Sequence, residues 1–253
     1  MSDPLFITSR DNPLLKELRK LAQDNTAYRK VGRFWVEGDH LCSAALQRGL
    51  QPAVAVYSEA FWALGRSALT EVAGKKVIFS DALFKEISAL ESPASVGFVL
   101  ELPTDAVLQT QAATVILDRV QDAGNVGSIL RSAGAFGFRQ VLALKGTAAL
   151  WSPKVLRAGM GAHFGLHLIE GLSLEDVQAL TVPLVVTSSH LGELIQDLKL
   201  PSPCAWVMGH EGQGVGTELM ARASFFARIG QPGGEESLNV AAAAAICLHA
   251  SSL

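Results

Sequence analysis

Short apolar runs alternate along this chain with stretches whose apolar residues recur every three or four positions. Phe34–Glu37, Val54–Tyr57, Val77–Ser80 and Gly97–Glu101 are predicted as strands, as are Val115–Asp118, Val141–Leu144, Leu184–Thr187, Ala205–Met208 and Phe226–Ile229. Helical periodicity fills the intervals: Pro13–Gln23, with Asn12 as a cap before Pro at the first turn, then His40–Arg48, Ala82–Leu90, Val126–Ala135, Leu174–Leu180 and Leu238–Ala250. Strand and helix alternating in this way predict an α/β fold with mainly parallel strands. From Leu102-Pro103-Thr104-Asp105 to about Ala112 the chain is polar, Pro-containing and without period. That break predicts a small N-terminal α/β domain over 1–103, a linker over 104–112 and a parallel-sheet domain over 113–253.

With 49% apolar and 18% charged residues in 253, the chain has enough apolar surface to offset the entropy of folding, which excludes disorder. Cys42, Cys204 and Cys247 are far apart in apolar segments, as expected of reduced core thiols rather than a disulfide framework or a zinc site. Met1-Ser2-Asp3-Pro4 has no signal-peptide character, and the apolar run Val240–Leu248 is about half of what a bilayer requires. A cytoplasmic protein without a membrane span is expected.

A net charge of −3 argues for a small-molecule enzyme and against a polyanion partner, but the charge is unevenly spread. Residues 10–33 hold seven basic against three acidic residues, among them Arg10, Lys16, Arg19, Arg29, Lys30 and Arg33. Residues 119–163 hold six, including Lys154 and Arg157, against Asp122 alone. Two basic stripes in an acidic body can attract a polyanion locally; solvated helix faces are the plain alternative.

Phosphate-loop, dinucleotide, Gly-x-Ser-x-Gly and Cys-x-x-Cys patterns are absent, and no metal-ligand cluster is seen. Three Gly-rich segments instead follow predicted strands of the C-terminal half, where ligands of parallel sheets bind. In Leu117–Arg131, Asn125 is expected to cap a helix whose face carries Gly127, Arg131 and Ala135. A helical Arg leans toward the N-terminus, so Arg131 and the open N–H groups there are expected to form a phosphate-sized anion site. The alternatives are an Arg lying over a small-residue groove or paired with Asp122. In Met208–Gly216, four glycines surround the carboxylate of Glu211, which also suits a tight turn. In Ile229–Val240, Ser237 and Asn239 stand at a helix start, as ordinary capping residues also do.

Taken together and in order, these segments resemble the SpoU/TrmH family of RNA ribose 2′-O-methyltransferases, in the SPOUT superfamily. The family pattern N-x-G-x-x-x-R is met by Asn125-Gly127-Arg131, G-[NH]-E-G-x-G by Gly209–Gly214, and I-P-M-x-G-x-x-E-S-L-N-V by Ile229–Val240. Ser152–Ala162 is similar to its P-K-x-x-R-x-S-x-G-A segment, and Ile7–Pro13 with Arg33–Gly38 to its small substrate-binding domain. The resemblance implies a deep trefoil knot, S-adenosylmethionine as cofactor, no metal, and a homodimer acting on RNA. It implies a catalytic Arg131 with Asn125, Glu211, Ser237 and Asn239. Gly209, Ile229 and Leu238 would bind the cofactor, with Thr187 and Ser188 at the end of the preceding strand. Arg10, Lys16, Arg19, Arg29, Lys30, Arg33, Lys154 and Arg157 become the expected RNA contacts. Two departures stand out: Gly230-Gln231 replaces Pro-Met, and Gly159 replaces a common Ser.

The implied reaction is methylation of a ribose 2′-hydroxyl, foremost in 23S ribosomal RNA. Transfer RNA is the second substrate to weigh, and a non-catalytic RNA-binding or ribosome-assembly protein on the same scaffold is the rival of another class. Guanidinium stays protonated in proteins, so Arg131 is expected to clamp phosphate and stabilise developing alkoxide rather than to act as a base.

Overall fold

Each of two units contains one sheet, described by a computed structural model over residues 3–88, 92–104, 106–188, 191–233 and 237–252. Unit 1 comprises Met1–Thr104 with Trp151–Phe164, and unit 2 Asp105–Leu150 with Gly165–Leu253. Unit 1 starts with β1 (Leu5–Ile7), α1 (Pro13–Gln23), α2 (Ala27–Val31), β2 (Arg33–Glu37) and α3 (Asp39–Gln47). It continues with β3 (Val54–Ser58), α4 (Glu59–Ala63), β4 (Lys75–Phe79), α5 (Asp81–Ile87) and β5 (Val96–Glu101). The chain enters unit 2 with β6 (Thr114–Leu117), α6 (Ala123–Ala135) and β7 (Gln140–Leu144), then supplies α7 (Pro153–Gly159) to unit 1. Unit 2 is completed by β8 (His167–Leu172), α8 (Leu174–Val177), β9 (Leu184–Thr187) and β10 (Glu193–Leu194), then β11 (Ala205–Met208), α9 (Thr217–Ala221), β12 (Phe225–Arg228) and α10 (Val240–Ala250). The α/β reading is borne out. Ala89 and Leu90, expected to end a helix, lie outside the described residues.

In unit 1 the strand order is β1-β4-β3-β5-β2. Strands β1, β4 and β3 are parallel, but β5 runs antiparallel to both β3 and β2. This sheet is therefore mixed, while the strands of the molecule as a whole are mainly parallel as expected; an apolar run marks a strand without marking its direction. Asn12 caps α1 as expected, its Oδ1 accepting the Leu14 N–H at 2.9 Å.

The division at 1–103, 104–112 and 113–253 does not separate out Trp151–Phe164, which clusters with unit 1. Aromatic packing accounts for this excursion: Phe34 lies 4.6 Å from Trp151 and 6.5 Å from Phe164 between ring centroids. Residues 107–110 are also tied down within unit 2. The buried Gln140 amide accepts the Gln109 N–H at 2.8 Å and donates to the Gln109 carbonyl at 3.0 Å.

Unit 2 has the strand order β10-β12-β9-β11-β6-β7-β8, parallel throughout. Its central strands are buried, and Ile116, Leu142, Val186 and Val207 belong to one core cluster with Val177 and Leu219 of flanking helices. Because the strands are parallel, the loops after β6, β9, β11 and β12 all leave the same edge of the sheet.

Gly159, the departure from Ser, has a steric explanation in unit 1. A Cβ there would sit 2.5 Å from Cε1 of His163, whose buried ring lies 5.4 Å from Trp151. Gly159→Ser is expected to cost about 1–3 kcal/mol of stability by overpacking. Urea denaturation should show a smaller cost for the same change in a His163→Ala background; an equal cost would mean that the imidazole is not the obstacle.

Candidate active site

The loops after β9, β11 and β12 converge around a cleft of about 500 Å³ whose lining includes Thr187, Ser188, Gly209, Glu211 and Ile229. Ser237, Leu238 and Asn239 close it from the start of α10. All five residues expected at the cofactor, and three of the five expected at the catalytic centre, thus border one cavity. Gly234, Glu235 and Glu236 of the third segment lie outside the described residues.

The Met208–Gly216 loop is braced from within. His210 and Gly214 exchange backbone hydrogen bonds at 3.1 and 2.8 Å, and His210 Nδ1 accepts the N–H groups of Gly212 and Gln213. An Nδ1 that accepts leaves the proton of a neutral imidazole on Nε2. The turn places the Glu211 carboxylate against the loop after β6. There Oε1 accepts the Asp122 N–H at 3.0 Å and the Asn125 side-chain amide at 3.1 Å, while Oε2 accepts the Gln121 N–H at 3.1 Å. Asn125 Oδ1 in turn accepts Asn239 Nδ2 at 2.9 Å, and Asn239 Oδ1 caps α10 by accepting the N–H groups of Ala241 and Ala242. One hydrogen-bond chain therefore joins all three Gly-rich segments. Partial burial acts to raise the pKa of Glu211, but the Asp122, Gln121 and Asn125 donors outweigh it and bring the value from 4.5 down to about 2.

Two expectations for the first segment are corrected. The N-cap of α6 is Asp122, not Asn125; Asp122 Oδ1 accepts the Asn125 N–H at 2.7 Å, and the Asn125 side chain is given over to Glu211 and Asn239. A carboxylate thus already stands at that helix N-terminus, where the anion site was expected. Arg131 is exposed, is not part of the cleft lining, and makes no ion pair with Asp122. Asn125 stands behind the Glu211 wall rather than in the lining. Main-chain donors at Gln121 and Asp122 escaped sequence reasoning because no residue type encodes them. No group of His, Cys, Asp and Glu that could hold a metal occurs among the described residues.

The residues expected to contact RNA all fall in unit 1. Arg10 and Arg19 both pair with Glu86, Lys16 with Asp11 at 3.2 Å, and Arg33 with Glu101 at 2.9 Å. Arg29 Nε donates to the Tyr28 hydroxyl at 3.2 Å. Lys30 and Lys154 are exposed, and Arg157 is half-buried.

Comparison with known proteins matches residues 112–249 to the model of the SpoU rRNA Methylase family and residues 12–97 to an MRM3-like substrate binding domain. The chain belongs to the SpoU rRNA methylase family. It is 28% identical over 247 residues to the Bacillus subtilis 23S rRNA (guanosine(2553)-2′-O)-methyltransferase RlmP, covering 96% of this chain and 97% of that one. It is 34% identical over 190 residues to the Coxiella burnetii 23S rRNA (guanosine-2′-O-)-methyltransferase RlmB, covering 74% of each. The crystal structure of an AdoMet-bound rRNA methyltransferase from Sinorhizobium meliloti superposes with a TM-score of 0.82 at 27% identity, covering 97% of this chain and 96% of that one.

Glu211 anchors the loop only while ionised. Its depressed pKa means that this contribution to stability is fully present above pH 4.5 and is lost as pH falls toward about 2. Glu211→Gln is therefore expected to lower the thermal midpoint by an amount that is constant at neutral pH and shrinks below 4.5. Calorimetric scans of both proteins across that range check it; a gap independent of pH would contradict it.

Proposed function

We propose that this SpoU-family methyltransferase uses S-adenosylmethionine to methylate a ribose 2′-hydroxyl of ribosomal RNA, with 23S rRNA as the substrate. The observation that carries the reading is the Glu211–Asn125–Asn239 chain, which ties three family motifs together, two of them lining one cleft. The cleft suits the cofactor: its volume of about 500 Å³ lies in the range of small-ligand sites, with apolar walls from Ile229, Leu238 and Ala227 beside a Gly-rich backbone. When bound there, the cofactor supplies an electrophilic methyl carbon. Gly209 and its neighbours offer close backbone approach, and Leu238 excludes water. Glu211 stays ionised and committed to its three donors, so it positions the loop rather than moving a proton. Arg131, unengaged by any carboxylate among the described residues, is free to clamp an RNA phosphate and to stabilise negative charge developing on the 2′-oxygen. The names of the bacterial relatives favour ribosomal over transfer RNA.

Substrate RNA would lie on unit 1, with its MRM3-like substrate-binding region. Acidic partners already neutralise Arg10, Arg19, Lys16 and Arg33 in part, so Lys30, Lys154 and Arg157 carry most of the phosphate contact. Three or four such contacts correspond to a salt slope of about −2 to −3 for single-stranded RNA. A homodimer accounts for α10, which is apolar on nearly every side yet leaves Ile246 40% exposed. No helix among the described residues is long and apolar enough to cross a membrane, and a ribosomal substrate goes with the expected cytoplasmic location.

Titration calorimetry with S-adenosylmethionine, followed by mass-spectrometric mapping of 2′-O-methyl groups in RNA from a strain lacking the protein, tests the reading. Binding with one lost ribosomal mark is expected; binding with a lost transfer-RNA mark would reassign the substrate, and absence of binding would favour the non-catalytic scaffold. Arg131→Ala is expected to lower turnover by about 10²–10³. Near-full activity of Arg131→Lys with a new titration below the normal lysine pKa would replace the clamp with a base.

A further inference from the structure

Arg119 is one of two non-glycine residues described at positive φ, at 59°. Such a backbone persists where surroundings over-determine it. Here the Arg119 N–H donates to Thr147 Oγ1 at 3.1 Å, and that hydroxyl donates to the Leu117 carbonyl at 3.0 Å. The stem of Arg119 lies over Gly146, where a Cβ would come within 3.1 Å of Cγ. Its guanidinium then forks onto the buried Asp118, Nε to Oδ1 at 2.8 Å and Nη2 to Oδ2 at 3.0 Å.

The pair reaches the Met208–Gly216 loop at two points. Arg119 Nη1 donates to Gln213 Oε1 at 3.1 Å, and Asp118 Oδ2 accepts the Gly216 N–H at 2.7 Å. Both bonds are separate from the Glu211 anchor. Gln213 and Val215 line the cleft, so this half of the loop shapes the cavity wall. We propose that Arg119 is a positioning residue for S-adenosylmethionine, holding Gln213 directly and Gly216 through Asp118 so that the loop is preorganised to receive the cofactor. The proposal rests on the reading of the cleft as the cofactor site.

Arg119→Asn removes the guanidinium while keeping a residue that tolerates positive φ. Calorimetry on the full chain is expected to show a Kd for S-adenosylmethionine raised about tenfold, with turnover at saturating cofactor within about twofold of the parent. Arg119→Lys should recover little, since a point charge cannot serve Asp118 and Gln213 at once. Combining Arg119→Asn with Gln213→Ala should add little to the loss from Arg119→Asn alone. An unchanged Kd in Arg119→Asn, fully additive losses, or a fall in turnover at unchanged Kd would each overturn the clasp. Should Arg119→Asn fold poorly by circular dichroism, Gln213→Ala alone decides: a raised Kd supports the proposal and an unchanged one overturns it. A parent protein that takes up no S-adenosylmethionine would overturn the cofactor reading itself, an outcome distinct from a parent that binds and a variant that binds equally well.

Discussion

The Glu211 carboxylate accepts two main-chain N–H groups and one side-chain amide from the loop after β6, and through Asn125 it reaches the cap of α10. Those donors belong to segments nearly ninety residues from it in sequence, and each would need another acceptor if the carboxylate were absent. The arrangement is possible because β6, β9, β11 and β12 are parallel and close in the sheet, so their following loops share an edge. Sheet direction brings the segments together, and one ionised side chain sets their register. Leu238 and Gly209 face the same cleft as a result.

Charge follows a similar logic of local pairing. A net −3 spread evenly would repel RNA, and two concentrated basic stripes would grip it. The molecule lies between these limits: Glu86 draws in Arg10 and Arg19, while Lys30 and Lys154 extend into solvent. The acidic residues within unit 1 do more than dilute the whole-chain charge, because they select which cations remain available to a phosphate backbone.

The sheet of unit 2 was largely legible in the sequence because its strands are continuous apolar runs such as Val115 to Leu117 and Leu184 to Val186. β8 was not legible, since Glu170 and Gly171 interrupt its pattern, and the two-residue β10 is too short for any pattern. Asn125, Glu211 and Asn239 were recognisable as special, but their bonding partners were not. An Asn three residues into a helix and an Asp at its start spell equally good caps, and only the position of Glu211 decides between them. The excursion of Trp151–Phe164 escaped for another reason: no Pro-rich or polar break marks its ends, and the apolar contact with Phe34 lies more than a hundred residues away.

That excursion has a consequence for how the protein comes into being. Unit 1 does not receive its last segment, α7 included, until residue 164 has been synthesised, by which time β6, α6 and β7 of unit 2 have already been made. Unit 1 can close only after the first part of unit 2 has emerged, so the two units are not made as separate, successive stretches of a growing chain. Inheritance is constrained in the same way. The two units cannot be exchanged between proteins by one recombination point in the 104–112 stretch, because α7 would be left without the strand Phe34 belongs to; the two units are bound to travel together.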